Sequence, residues 1–478
     1  MKSEIFIRTD GNPQIGLGHL VRCTALAYMV KDDFEITFVC RGISKAMATD
    51  LQDAGFGIRI ILHEAEFLKQ LNSSSIAVLD IYQFDTDYQK QIKASGAKLV
   101  CIDDLHDKEF VADLIINHTP GIKPEDYRTQ AYTQFALGLE YTLLRPLFLE
   151  QAKKPRNIEK VETVLICFGG SDPKNLTQIV LQVVIKFAHF KKIIVVTGEA
   201  YSETNSFKQL IASNPRIDQR YSLNEQQMLG TMLESDLAIV PASGILFEIL
   251  ATGCIVISGS YVDNQEYVYE NFKNARLFID AGNFSSKKLY DAISEVSGNS
   301  HNGGKTFDGQ AAKRILKLFK QLNKEFLINL RWASIGDLDF TFGWATNTEI
   351  RRFSFQQHQI TKEEHVTWFE RKLMDTNCYY YIVDYDRLPI GSIRFDIEDN
   401  EAIVSFQLDP MYHGQGFGQI ILKKGVELLM NVCISDLKLI RVISGEVLKN
   451  NIPSIKSFER MGFVKKELMG IYKFEKWI

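Results

Sequence analysis

The sequence predicts an α/β protein in which two halves built on parallel sheets precede a smaller α+β domain. Three observations carry this. Apolar runs of strand length alternate with stretches of helical spacing over the first two thirds of the chain. That rhythm occurs twice, in blocks of similar size. Beyond about residue 325 it gives way to an amphipathic helix and strands joined by a hairpin-like turn.

In the first block "EIFIRTD", "FEITFVC", "IAVLDIY", "KLVCIDD" and "ADLIINH" read as strands, before a less regular segment ending in "GLEYTLLRPLF". The second block runs through "TVLICFGGSDPKN", "KIIVVTG", "DLAIVPASG" and "CIVISGS". Such continuously apolar strands belong in a sheet covered by helices on both faces. The blocks join near residues 148–162 and predict Rossmann-like halves at 1–150 and 151–325, with ligands at the carboxyl ends of the strands. The polar, glycine-rich "SGNSHNGGKTFDG" and the helix "AAKRILKLFKQL" close the second half, leaving 326–478 as a third domain. There, a helix "KEEHVTWFERKL" precedes strands "CYYYIVDYD", "LPIGSIRFDI" and "EAIVSFQLDP".

Composition narrows the function classes. The chain has 478 residues, 45% hydrophobic and 24% charged, with a net charge of −4, so it offers no bulk attraction to nucleic acid or to an anionic membrane. Seven scattered cysteines without a CxxC pair predict free thiols in a reducing cytosol. The N-terminus has no apolar signal core, which adds to a cytoplasmic expectation. The long apolar stretch beginning at Leu237 is interrupted by Pro241, Glu248 and glycines, and reads as strand, turn, helix and strand rather than a membrane span.

Two glycine turns carry the chemistry. In "RTDGNPQIGLGHLVRC", Gly16 and Gly18 lie between the first strand and the helix that His19 opens, where backbone amides and the helix dipole attract an anion. On this window alone a tight turn, with His19 as a capping or packing residue, is the simpler reading. In "MYHGQGFGQIILKKGVELLM", Gly414, Gly416 and Gly418 again open a helix.

"LDPMYHGQGFGQIILKKGVELL", followed by "NNIPSIKSFERMGF", resembles the GNAT acetyltransferases over roughly residues 327–475. The resemblance implies a GNAT fold with acetyl-CoA as co-substrate, held by Leu408, His413, Gly414, Gly416, Phe417, Gly418 and Asn451. Two positions depart from the family: His413 replaces a usual Gln or Arg, and Phe458 replaces a frequent general-acid tyrosine. Without a hydroxyl, Phe458 cannot protonate a leaving thiolate. Glu446 is a candidate base for the amine, and equally a solvated strand-end carboxylate.

Six ordered motifs resemble a second family. "RTDGNPQIGLGHLVRCTALA", "DIYQFD", "IDDLHD", "LGLEYTLLRPLF", "CFGGSDPKN" and "SGILFEILATGCIVI…DNQ" are similar to the UDP-sugar hydrolases of pseudaminic acid biosynthesis. That resemblance implies a GT-B fold, shared with the glycosyltransferase that makes lipid II, and hydrolytic removal of UDP from a diacetamido-trideoxy sugar. The fused acetyltransferase matches the preceding step, N-acetylation of the UDP-linked 4-amino sugar. Together they imply a bifunctional enzyme serving flagellin glycosylation, with a UDP-amino-sugar as its partner.

The residues agree with that chemistry. A diphosphate leaving group needs donors, and the amides at Gly16, Gly18, Gly169, Gly170 and Ser171 are expected to supply them from the two halves. Ser243 and Gly244 open another helix, and Glu248 one turn along is expected to accept from ribose hydroxyls, as in the family. His19 is the expected base near the anomeric centre. Asp10 and Asp80 are expected either to bind sugar groups or to cap helices, Tyr82 to lie near the substrate or at a core rim, and Asn264 to touch the sugar or place the water. Asp103 and Asp104, with His106 nearby, are expected to form a turn and not a metal site. Three functional classes fit these features: a bifunctional hydrolase and acetyltransferase, a glycosyltransferase, and a hydrolase whose last domain only binds acetyl-CoA.

Overall fold

A computed structural model describes residues 2–11, 18–170, 172–198, 200–297, 306–356, 358–435 and 439–478, excepting the side chains of Asn264, Ser297 and Ser435. The first sheet contains β1 (Ser3–Thr9), β2 (Phe34–Cys40), β3 (Gly57–Ile60), β4 (Ile76–Asp80) and β5 (Lys98–Ile102). After a short β6 (Glu109–Phe110) comes β7 (Leu114–Asn117), and after β8 (Arg128–Thr129) comes β9 (Gln134–Leu137); β6 and β8 pair with each other. The sheet order is β3-β2-β1-β4-β5-β7-β9, parallel throughout. Every residue of β4 is buried, as expected for a strand with both faces covered. The order reverses between β1 and β4, so loops leaving their carboxyl ends diverge and open a crevice.

The second sheet is also parallel. Its strands are β10 (Thr163–Cys167), β11 (Lys192–Thr197), β12 (Ile217–Tyr221), β13 (Leu237–Pro241), β14 (Ile255–Gly259) and β15 (Ile279–Asp280), in the order β12-β11-β10-β13-β14-β15. One apolar cluster takes residues from both halves, including Leu26, Phe148, Leu165 and Phe247, so the two halves share a core. Residues 1–322 accordingly form one compact unit, and residues 323–478 form another.

The second unit contains β16 (Ile328–Trp332), β17 (Cys378–Tyr385), β18 (Leu388–Glu398), β19 (Glu401–Leu408), β20 (Val442–Leu448), β21 (Val464–Glu467) and β22 (Ile471–Trp477). Its order is β16-β17-β18-β19-β20-β22-β21, antiparallel except where β19 meets β20. That parallel pair is in register only from Glu401↔Val442 to Ile403↔Ser444, after which the strands part. Among the described residues no helix is long and apolar enough to cross a membrane.

Candidate active sites

At the carboxyl end of the first sheet a charged cluster assembles from three strand ends. Asp80 ends β4, Asp104 follows β5, and the helix Gly18–Val30 after β1 contributes His19 and Arg22, three residues apart and so on one helix face. His19 Nδ1 lies 2.7 Å from Asp80 Oδ1. Arg22 donates from Nε to Asp80 Oδ2 at 2.7 Å, from Nη2 to Asp80 Oδ1 at 2.6 Å, and from Nη1 to both oxygens of Asp104 at 2.7 Å. Tyr82 donates its hydroxyl to Asp104 at 2.8 Å, and its ring meets the His19 ring edge-on at 4.6 Å.

Asp80 is fully buried. Burial alone would raise its carboxyl; Arg22 and His19 overcome this and hold it well below the ordinary carboxylate range. An ionised carboxylate only accepts, so His19 Nδ1 carries a ring hydrogen, and Nε2 is the ring nitrogen left to meet a ligand. The same arginine offsets the burial of Asp104 and holds that carboxyl low. Burial first, and then Asp104, push the Tyr82 phenol far up, so it stays protonated.

His118, just beyond β7, stands beside this charge. Its Nδ1 accepts the Leu143 amide at 3.1 Å, and burial followed by Arg22 lowers it to about 4, so the ring is neutral. It stacks at 4.1 Å on Phe247, the neighbour of Glu248 in the helix Gly244–Ala251.

The other carboxylates singled out in the sequence stand in defined hydrogen bonds and ion pairs, and Asp104 departs from the expected turn. Asp80 is buried beneath His19 and Arg22, and its carboxylate is taken up by them rather than by a helix end. Asp103 does form the predicted turn, accepting the amides of Leu105 and His106, but Asp104 belongs to the Arg22 cluster instead. Asp10 accepts the amides of Arg41 at 2.6 Å and Gly42 at 3.0 Å, tying the ends of β1 and β2. With Arg8, Glu64, Gln83 and Phe84 it lines a cavity of about 310 Å³. Glu248 pairs in two-pronged fashion with Arg145, at 2.7 and 2.9 Å.

Gly18 is the exposed first residue of its helix, and Gly169 and Gly170 are exposed in the turn after β10. Gly169 has φ +82°. Ser243 precedes the helix Gly244–Ala251 without capping it through its side chain, and Gly244 is exposed. Gly16 and Ser171 lie outside the described residues, as does the side chain of Asn264, whose backbone is in a short turn of 3₁₀ helix. Among the described residues no group of three or more His, Cys, Asp or Glu side chains is arranged to hold a metal ion.

In the second unit the turn before the helix Phe417–Ser435 carries Gly414 at φ +71° and Gly416 at φ +83°, a region that favours glycine. His413 is exposed and its Nε2 donates to the Leu408 carbonyl at 2.8 Å. Leu408 ends β19 and is half-buried. Gly418 packs close to Ser457: a Cβ there would lie 3.1 Å from its Oγ. Asn451 caps the helix Ile452–Arg460, accepting the Ser454 amide at 3.2 Å. The Phe417 ring is 1% exposed and packs on Tyr385, so the expectation of a cofactor contact is corrected to its backbone alone.

Glu446 is exposed on β20, opposite Lys473 of β22. Its face of the sheet, shared with Ser444, is the one on which Gln407 and Ser405 of β19 help line a cavity of about 450 Å³ with Trp368, Tyr380 and Arg394. Glu446 itself is not among the lining residues. Phe458 is a core residue, stacked at 5.0 Å on Phe474.

Residues 328–464 match the family model of the acetyltransferase (GNAT) domain. The second unit carries a GNAT acetyltransferase domain. Acetyl-CoA is the co-substrate of the GNAT domain, and its glycine turn and helix terminus fit an anionic pyrophosphate. Over 478 residues the chain is 23% identical to an uncharacterized protein of Methanocaldococcus jannaschii, covering 97% of each. The N-terminal region is homologous to the UDP-2,4-diacetamido-2,4,6-trideoxy-beta-L-altropyranose hydrolase of Campylobacter jejuni, 26% identical over 267 residues, or 55% of this chain and 93% of that one. It is likewise homologous to the spore coat polysaccharide biosynthesis protein SpsG of Bacillus subtilis, 28% identical over 288 residues, or 58% and 83%. The paired parallel sheets ahead of the GNAT domain are the GT-B type that the sequence predicts.

The sequence reading passed over Arg22, Arg145 and His118. Arg22 had a legible signal, its spacing of three from His19 on one helix face. Arg145 stood in the quoted motif "LLRPLF" without a role, because its partner is 103 residues away.

Proposed function

We propose that the chain is a bifunctional nucleotide-sugar enzyme of pseudaminic acid biosynthesis. Its GNAT domain, residues 326–478, acetylates the 4-amino group of UDP-4-amino-4,6-dideoxy-N-acetyl-L-altrosamine with acetyl-CoA. Its first two lobes, residues 1–150 and 151–325, then hydrolyse the product to UDP and 2,4-diacetamido-2,4,6-trideoxy-L-altropyranose.

The observation that carries the hydrolase reading is the 2.7 Å contact of His19 Nδ1 with the buried, ionised Asp80. It leaves Nε2 as a proton acceptor fixed at the carboxyl edge of a parallel sheet. In the proposed step a water oxygen bonds to the anomeric carbon as the bond to the diphosphate oxygen breaks. The water proton passes to His19, UDP leaves with the bonding pair, and the anomeric centre inverts. Amides at Gly16, Gly18, Gly169, Gly170, Ser171, Ser243 and Gly244 receive the diphosphate, and Glu248 the ribose. Asp10 and its cavity of about 310 Å³, with Tyr82 and Asn264, take the sugar.

In the GNAT domain, Leu408, His413, Gly414, Gly416, Gly418, the Phe417 backbone and Asn451 hold acetyl-CoA. The cavity of about 450 Å³ beside Trp368 and Arg394 takes the amine acceptor, with Glu446 as the base for its proton. The test offers the purified chain the UDP-linked 4-amino sugar with and without acetyl-CoA and follows free thiol and UDP. Thiol first and UDP second, only with acetyl-CoA, is the expected order. His19→Ala should abolish UDP release and leave thiol release intact; wild-type UDP release from that variant would end the assignment. A glycosylated product in place of free sugar would select transfer over hydrolysis.

A further inference from the structure

Three strand ends meet at the cavity of about 310 Å³: Asp10 follows β1, Arg41 follows β2, and Ile81 and Gln83 follow β4. Ile81 and Gln83 flank Tyr82, whose ring meets His19 edge-on, so the cavity begins one residue to either side of the neighbour of the proposed base. Much of the charge around it is matched within the protein. Arg8 is 1% exposed; its Nε and Nη2 donate to the two oxygens of Glu64 at 3.0 and 2.7 Å, and its Nη1 lies 3.0 Å from Asp10 Oδ1. The Tyr88 hydroxyl donates to Glu64 at 2.9 Å. Asp10 Oδ1 also accepts the amides of Arg41 and Gly42, so every contact of that carboxylate falls on one oxygen. Oδ2 has no partner among the described residues and remains accessible. The Arg41 guanidinium, exposed where it lines the cavity, makes no hydrogen bond or ion pair among the described residues.

A free acceptor and a free donor lining one space suit a ligand that carries both. A secondary amide does so: its N–H suits Asp10 Oδ2 and its C=O suits Arg41. The methyl of an acetamido group needs an apolar wall, which Ile61, Ile81 and Phe84 supply. An ammonium has donors only. Arg8 and Arg41 match the two carboxylates of the cavity, so no excess negative charge holds an ammonium there, and Arg41 repels it.

We infer that Arg41 and Asp10 Oδ2 form an amide-reading pair that receives the acetylated C4 nitrogen of the sugar and rejects the same nitrogen as an ammonium, so that acetylation becomes a condition for hydrolysis. The inference rests on the proposed sugar site at this cavity. C4 lies across the pyranose ring from the anomeric carbon. With the anomeric carbon at His19, a C4 substituent therefore reaches a ring's width further, to the cavity beside Tyr82, while a C2 substituent stays next to the anomeric centre. Arg41 is then a specificity-determining residue that sorts substrates and takes no part in proton transfer.

The test uses the full chain without acetyl-CoA, so that the GNAT domain cannot convert one substrate into the other. It measures kcat/KM for UDP release from the UDP-linked diacetamido sugar and from the UDP-linked 4-amino sugar. The wild type should favour the diacetamido substrate by about tenfold or more, the worth of hydrogen bonds to charged groups. Arg41→Met removes donor and charge together and should bring the two values to within about threefold of each other, chiefly by slowing the diacetamido substrate. Arg41→Gln keeps a donor without the charge and should retain only part of the preference. Both variants keep the main-chain N–H that holds Asp10, and the side chain they replace is exposed, so the fold is preserved. An undiminished preference in Arg41→Met, or a wild type that cleaves both substrates equally well, would overturn the inference and leave the hydrolase standing. Equal loss of both substrates in the two variants would assign Arg41 a purely structural role and also overturn it. A wild type that releases UDP from neither substrate would remove the hydrolase reading, and the inference with it.

Discussion

His19 and Asp80 meet at 2.7 Å although 61 residues separate them, because β1 and β4 are adjacent parallel strands whose carboxyl ends lie side by side. The contact decides which imidazole nitrogen carries hydrogen. In Asp80→Asn the amide can offer an N–H to Nδ1 and the opposite tautomer becomes available. UDP release should fall by roughly 100-fold or more while acetyl transfer is unchanged. Parallel assays of UDP and thiol check this, and an unimpaired release of UDP would separate Asp80 from the reaction.

His118 gives the first unit an acid-sensitive point. Asp104, Asp80 and Arg22 face it, and burial followed by Arg22 lowers it to about 4, from an ordinary value of 6.5. The folded state therefore binds fewer protons than the unfolded state between those values. The stability is complete above about pH 6.5 and is lost as pH falls toward 4, by up to about 3 kcal/mol. Thermal melts from pH 7 to 4.5 should show a falling midpoint for the wild type and a flatter profile for His118→Gln. Equal slopes would assign the acid sensitivity to other groups.

Gly416 stands at φ +83°, where a Cβ is strained. Gly416→Ala should distort the turn ahead of the helix Phe417–Ser435 and raise the KM for acetyl-CoA by roughly tenfold, at a backbone cost of about 1–2 kcal/mol. Initial rates of thiol release measure it. A wild-type KM would place the pyrophosphate away from this turn.

Phe458→Tyr would restore the hydroxyl frequent in the family but should gain nothing. A Cβ built on Gly445 would lie 2.6 Å from Phe458 Cζ, the atom that would carry the new oxygen, so the ring end packs closely over the Gly445 backbone. The variant is expected to lose about 1–3 kcal/mol through overpacking, with no faster acetyl transfer. A faster reaction at unchanged melting temperature would show that the space exists.

Much of the fold was legible in the residues. Central strands such as "IAVLD" and "TVLIC" read clearly because they are buried on both faces, and the two glycine turns read clearly because they open helices after strands. Edge strands did not: β3 is "GIRI" and β12 is "IDQRY", half-exposed and without a continuous apolar run. Their pairing comes from the neighbouring strand and not from their own composition.

At the sites, local sequence sets which chemical groups stand near strand ends: a histidine after one glycine turn, an aspartate ending the fourth strand and two following the fifth, a carboxylate in an apolar helix. Which partner each group meets follows from the packed fold. Asp80 holds His19, Asp103 makes a turn while its neighbour Asp104 meets Arg22, and Glu248 belongs to an arginine 103 residues away. The reason is physical: a buried carboxylate is stable only with a partner, and which cation reaches it depends on strand order and helix facing, which local sequence does not encode.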